Sequence, residues 1–288
     1  MPQASRSVGR AAAVGTVVLL ALSLGALPAS AAFARRKVIT IDRARVPGTA
    51  NHIDFPVLVS IAGDDNLKTT VYGGSVTSAQ GHDILFRGED ATTCSPAASP
   101  CRLDHEIERY DGATGTLVAW VRVPTLKYSG GGGPDTAIYM YYGDATVTCS
   151  QQNKTAVWDA SYREVFHLHE SGDHTESTKY AFSAVRRGAT SAGATGKVGP
   201  AIDLASTSTG LVPAQANISD GTLPTGTSFT LEAWVNLRTI NAGQYIGFLS
   251  KGRECLNFDG DPDATVGSGY CESAPCGDWT GLYKLPDG

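Results

Sequence analysis

The sequence predicts an all-β protein, and three observations carry that prediction. Gly is abundant, with 33 Gly and 14 Pro among 288 residues, and the apolar runs between them are short. Charge is light, at 18% Asp, Glu, Lys and Arg. Several runs alternate polar and apolar residues at period two, as one-sided strands do, and no segment is amphipathic over the length of a helix.

The first thirty-odd residues stand apart from that pattern. Arg6 and Arg10 precede the apolar run AAAVGTVVLLALSLGAL (11–27), and Ala29-Ser30-Ala31 follows it. A basic start, an apolar centre and a small-residue cleavage site describe a secretory signal peptide over residues 1–31. A retained membrane anchor is the competing reading. The run is ~17 residues and carries Gly15, Ser23 and Gly25, so it is marginal for a bilayer span. Arg6 and Arg10 are not adjacent, so there is no twin-arginine signal. Cleavage after Ala31 takes Lys+Arg from 23 to 21 against 28 Asp+Glu, a net charge of −7. A secreted or extracellular protein of that charge is a poor partner for nucleic acid or anionic membrane, whose phosphates it would repel. No second stretch is long enough to span a membrane.

Export makes disulfides the default state of the six cysteines. Cys94 and Cys101 flank SPAASP, and Cys271 and Cys276 flank ESAP, two loops short enough to close. Cys149 and Cys255 are left over. They could bridge the two halves, or Cys255 could take Cys271 or Cys276. No pair has C-x-x-C spacing, which argues against a redox motif or a zinc ribbon.

The strands follow in order from Arg36. RKVITIDRARV (36–46) alternates. FPVLVSI (55–61) is a continuous apolar run suited to a buried strand. DILFRG (83–88) comes next, then the Cys94–Cys101 loop, LDHEIERY, TLVAWVRV and DTAIYMYYGD (135–144). Six strands over this stretch suggest a β-sandwich. A second unit starts near Val157 with VWDASYREVFHLHE (157–170). It continues through AIDLAS (201–206), SFTLEAWVNLRT (228–239), YIGFLSKG (245–252) and WTGLYKL (279–285). Four or five strands are too few to close a second sandwich, and the last would present an open edge. The expectation is a fragment of a longer protein.

RRKVITIDRARVPGT…DFPVLVSI, GHDILF, LDHEIERYDGATGTLVAWVRVPTL and DTAIYMYYGD resemble, in that order, a bacterial secreted family catalogued as domain-of-unknown-function 2341. The resemblance covers about residues 36–160. VWDASYREVFHLHE, GATGKVGPAIDL and SFTLEAWVNL resemble the opening strands of the laminin-G-like, concanavalin A-like jelly roll, over about 161–288, with the later strands absent. Together they imply a β-sandwich of unknown function followed by a partial jelly roll, in the setting of extracellular glycan or surface binding. They supply no activity for the first domain.

The densest polar cluster is RLDHEIERYDGATGTLVAW (102–120). DGATG (111–115) is a turn, so its flanks pair as a hairpin. With Tyr110 opposite Thr116, His105 faces Val121, Ile107 faces Ala119 and Arg109 faces Leu117. On the other face Asp104 meets Arg122, Glu106 meets Trp120 and Glu108 meets Val118. His105 is then a core histidine with one hydrogen-bond partner, and Asp104–Arg122 is a cross-strand ion pair. Glu106, Glu108 and Trp120 share a face. Three readings compete for them: a solvated sheet surface, a binding face with Trp120 as a sugar platform, and a glycosidase pair, since residues i and i+2 are ~6.6 Å apart. The run E-I-E-R-Y-D resembles in part the E-x-D-x-x-E strand of concanavalin A-like glucanases. It departs from it in that Asp111 falls in the turn.

Two further clusters could hold metal. HLHESGDH offers His167, His169, Glu170, Asp173 and His174, with the H-x-H pair on one strand face, a geometry open to zinc or copper. NFDGDPDA spaces Asp259, Asp261 and Asp263 two apart in a Gly- and Pro-containing loop, which suits calcium. No nucleophile elbow, phosphate loop or dinucleotide fingerprint is present. The sequence therefore leads to a non-catalytic binding protein for glycans or cell-wall polysaccharide, with Trp120, Glu106 and Glu108 as ligand residues and calcium as a candidate ion. The alternatives are a glycoside hydrolase using Glu106 and Glu108, and a structural spacer of a larger surface protein.

Overall fold

The computed structural model describes residues 33–90, 92–94, 101–171, 174–187, 190–204, 210–213, 230, 232–236, 246–251 and 280–284. The leader, Asp173, Cys255, Cys271, Cys276 and the acidic run Asp259, Asp261, Asp263 lie outside the described residues.

Seven strands build the first part: β1 (Arg35–Ile41), β2 (His52–Ile61), β3 (Leu85–Gly88), β4 (Cys101–Leu103), β5 (His105–Asp111), β6 (Thr116–Leu126) and β7 (Thr136–Tyr142). They form two antiparallel sheets, one ordered β1-β7-β3-β4 and the other β2-β6-β5. The protein is all-β, with one four-residue α-helix among the described residues, α1 (Lys154–Val157).

Alternation sets the core. Along β6, Leu117, Ala119, Val121 and Val123 are fully buried; along β7, Ile138, Met140 and Tyr142 alternate with partly exposed Ala137, Tyr139 and Tyr141. Phe86, Leu103, Val59 and the loop residues Leu67, Val76 and Ile84 complete one apolar cluster to which both sheets contribute. Burying such a side chain stabilises the fold by ~1.5–3 kcal/mol each. The long loop between β2 and β3 is organised by Asp83, fully buried, whose carboxylate accepts from the backbone N–H groups of Thr77, Ser78 and Gly143 and from the Thr77 hydroxyl. A buried carboxylate is tolerated where donors saturate it.

His105 sits in this core as expected. It is fully buried, its Nδ1 is 3.3 Å from the Leu103 carbonyl, and its ring meets Phe86 edge-on at 5.2 Å. Cys94 and Cys101 form the expected disulfide, and Cys149 is exposed with a free thiol.

Beyond α1 the described strands have two to six residues: β8 (His174–Thr175), β9 (Ser183–Arg187), β10 (Thr190–Thr195), β11 (Pro200–Leu204), β12 (Gly210–Pro213), β13 (Ile246–Lys251) and β14 (Thr280–Lys284). They pair antiparallel as β12-β9-β8, β10-β11 and β13-β14. Two expected strands differ. Residues 159–171 contain no strand, and Leu168 takes φ 59°, so the H-x-H stretch is not a regular pleat. The described part of SFTLEAWVNL, residues 230 and 232–236, is likewise not in a strand, and Trp234 is 70% exposed. Alternation specifies a strand only where a neighbour accepts its hydrogen bonds, and none pairs with these residues among those described.

Candidate functional site

The acidic face develops from the β5–β6 hairpin. Asp111 closes the turn: its carboxylate accepts from the N–H of Ala113 and Thr114, and its carbonyl accepts from Gly115. The register starts as expected, with His105 opposite Val121, Glu106 opposite Trp120 and Ile107 opposite Ala119. It then shifts by one. Arg109 faces Val118, Tyr110 faces Leu117 and Asp111 faces Thr116, which corrects the expected pairing of Tyr110 with Thr116 and of Glu108 with Val118. Glu108 is the extra residue of a bulge, a device that re-aims a side chain at a sheet edge.

β5 is the edge of its sheet, and the chain following β7 closes that edge. Gln152 accepts from the Ile107 N–H at 2.6 Å, and the Asn153 N–H donates to the His105 carbonyl at 3.0 Å. Asn153 Nδ2 donates to Asp104 at 2.8 Å. The expected Asp104–Arg122 pair is present but long, at 3.9 Å; Arg122 lies closer to Asp54, at 2.8 Å, and donates to the Ala156 carbonyl.

The same segment covers the carboxylates, so their face is not solvated. Glu106 Oε2 accepts from Trp158 Nε1 at 3.1 Å and lies 3.1 Å from His167 Nε2; Oε1 accepts from the Ser177 hydroxyl at 2.6 Å. Glu108 Oε2 accepts from Trp120 Nε1 at 2.7 Å and lies 3.4 Å from His167 Nδ1. The side chains of His167, Glu106 and Glu108 are at most 8% exposed. Trp120 packs on Trp158 at 5.2 Å and on His167 at 6.4 Å, and Tyr162 meets Trp158 edge-on. Gly199 lies against Glu108, where a Cβ would approach Oε1 to 2.5 Å.

With a carboxylate beside each ring nitrogen, both nitrogens must carry protons. Burial alone would lower the His167 pKa, but the hydrogen bonds and charges of Glu106 and Glu108 prevail and raise it to about 9. Burial would raise the Glu106 pKa; the bonds from His167, Ser177 and Trp158 prevail and hold it below the usual carboxylate range. The group is an imidazolium clamped by two carboxylates between two indoles. Chemically it fastens residues 158–177 to the sheet. A glycosidase needs one protonated carboxylic acid facing the substrate, whereas Glu106 is held ionised with both oxygens engaged.

The described histidines of the cluster are engaged by one another and by carboxylates. His169 stacks on His167 at 6.3 Å, and the fully buried His174 places Nδ1 2.6 Å from Glu170. Among the described residues no group of three His, Cys, Asp or Glu side chains is arranged to hold a metal ion.

A partly exposed surface lies on the outer face of the four-stranded sheet, with Leu85 buried at one end of it. Val38, Tyr139, Arg87 and Arg102 form one row across all four strands; Arg36, Tyr141 and Leu85 form the next. Arg36 lies over the Tyr139 ring at 4.7 Å and Arg87 over the Tyr141 ring at 5.0 Å. Glu89 accepts from Arg36 and from the Tyr141 hydroxyl. The alternation in A-I-Y-M-Y-Y was the signal that both tyrosines point outward; the arginines come from three other strands and needed the sheet order.

Residues 80–180 match the model of a family described as Domain of unknown function (DUF2341). No curated protein and no solved structure matches the chain. The matched span includes Glu106, Glu108, Trp120, Trp158, His167 and Ser177. It runs past residue 160 to the end of the segment clamped on the sheet.

Proposed function

We propose that this chain is a secreted, non-catalytic binding protein for glycans of the extracellular surface, and that its contact surface is the outer face of the sheet β1-β7-β3-β4. The observation that carries the reading is the pair Tyr139 and Tyr141, side by side and each partly exposed on the outer face of this sheet, with Phe33 edge-on to Tyr141 at 6.1 Å. Aromatic rings ~6.6 Å apart on a flat strand offer consecutive stacking positions to the apolar faces of sugar rings. Their rotamers are held by Arg36 and Arg87, which lowers the entropy lost on binding.

Trp120, Glu106 and Glu108 then serve the fold rather than the ligand, because their polar atoms are engaged internally. The N-terminal leader pattern supports export, and the resemblance of about residues 161–288 to a laminin-G-like, concanavalin A-like jelly roll supports a second binding unit, with Asp259, Asp261 and Asp263 as its calcium ligands. On this reading the boundary between the units falls after the clamped segment, near residue 180, rather than at 160.

The test is a pull-down of the chain from Ala32 onward with a panel of insoluble and soluble polysaccharides, with calcium and with EDTA, assayed also for new reducing ends. Binding that is lost in Tyr139→Ala and Tyr141→Ala, without sugar release, is the expected result. Release of reducing ends would restore the hydrolase alternative, and absence of binding would leave the spacer reading.

A further inference from the structure

The charges on this face specify the class of glycan. Arg87 and Arg102 are directly opposed across β3 and β4. Like charges in that position destabilise a sheet. Among the described residues Arg102 is relieved by neutral groups, donating to the side chain and the carbonyl of Gln151. Arg87 has no carboxylate partner among the described residues; its contact is the Tyr141 ring. Glu89, the carboxylate at this edge, is taken by Arg36 and Tyr141. Among the described residues, three guanidinium groups against one engaged carboxylate make this face positive, in a chain whose overall charge is negative.

We infer, resting on the glycan-binding reading above, that the ligand is a uronic acid polysaccharide, with Tyr139 and Tyr141 stacking on the sugar rings and Arg87 and Arg102 taking the ring carboxylates. Two features favour carboxylate on a sugar ring. Guanidinium matches a planar carboxylate in a two-bonded fork. Tyr139 and Arg87 are directly opposed on neighbouring strands, ~4.5–5.5 Å apart at Cα. A ring stacked on Tyr139 therefore brings a carboxylate attached to that ring beside Arg87. A phosphate-linked polymer without sugar-ring faces would use the arginines and leave the tyrosines idle.

The experiment measures binding of the chain from Ala32 onward to polygalacturonate, to its fully methyl-esterified form and to inorganic polyphosphate, at low and at physiological salt. The wild type is expected to bind polygalacturonate and to lose affinity by about tenfold on esterification, the worth of a charge-assisted bond. Arg87→Gln and Arg102→Gln should each reproduce that loss, and added salt should weaken binding. Tyr139→Ala should weaken both galacturonan forms. Both arginine variants should still unfold in one cooperative transition with the wild-type far-ultraviolet circular dichroism spectrum, so that a loss of binding is not a loss of fold. Equal binding of both galacturonan forms with arginine variants unaffected would overturn the inference and leave the glycan reading standing. Polyphosphate binding as tight as polygalacturonate binding, and indifferent to Tyr139, would overturn the uronate assignment. No binding to either galacturonan form would overturn it too; whether the glycan reading falls with it is decided by the wider panel of polysaccharides.

Discussion

His167 Nε2 lies 3.1 Å from Glu106 Oε2, although 61 residues separate them in the chain. That contact ties the segment after α1 to the edge strand β5, with Glu108 holding the other ring nitrogen at 3.4 Å. The protonation of His167 is therefore part of what keeps the segment in place.

Stability should pass through a maximum near pH 6.5, because two buried histidines act in opposite directions. The His167 pKa is raised to about 9, so its contribution is complete below the unfolded value of 6.5 and is lost as pH rises through 9. The His105 pKa is lowered to about 4, by burial above all, so its contribution is present above 6.5 and is lost as pH falls toward 4. Glu106, held below its ordinary value, contributes above about 4.5 and loses that contribution at lower pH still. Thermal melts from pH 4 to 9 should show both limbs. His167→Gln should flatten the alkaline limb and His105→Leu the acid limb; a melting temperature that rises steadily across the range would contradict the clamp.

Glu106→Gln should destabilise the protein by about 3 kcal/mol, since breaking a buried ion pair leaves its partner uncompensated. The apparent pKa of His167 should fall in the same variant, which NMR titration of the imidazole reads directly. Limited proteolysis should then cut first within residues 158–177, the segment the clamp holds. A variant that melts like the wild type would show that the carboxylate is dispensable.

Removing the Cys94–Cys101 disulfide by the double change to Ser should cost about 2–3 kcal/mol, the value for closing a short loop. Cys149, exposed and free, should label with a thiol reagent in the native protein at one equivalent or more. Denaturant midpoints and a labelling time course check the two statements separately.

Gly115→Ala should destabilise by about 2–3 kcal/mol. Gly115 has φ 72°, and a Cβ there would stand 1.9 Å from the Asp64 carbonyl oxygen, a backbone atom that cannot swing aside. Gly132, at φ 65° with nothing within 4 Å, should tolerate Ala far better and serves as the comparison in the same denaturation series.

In the first part of the chain the sequence by itself determined where most strands lie and, up to the bulge at Glu108, which residues share a face. Period-two alternation is a local property, so β6 and β7 were legible, as were the turn at Asp111–Gly115 and the pairing of Glu106 with Trp120. His105 could be placed in the core because its strand neighbours two residues on are apolar, and Cys94 with Cys101 because the loop between them is short. Tertiary structure alone decided what covers each face. Alternation put Glu106 and Glu108 on a common side, yet nothing within reach of a strand pattern says that His167, Trp158 and Ser177 return to bury them. The bulge at Glu108 was hidden for the same reason, since it is a relation between two strands and not a property of one. The tyrosine–arginine face likewise needed the order β1-β7-β3-β4, because its residues meet only when strands distant in sequence become neighbours.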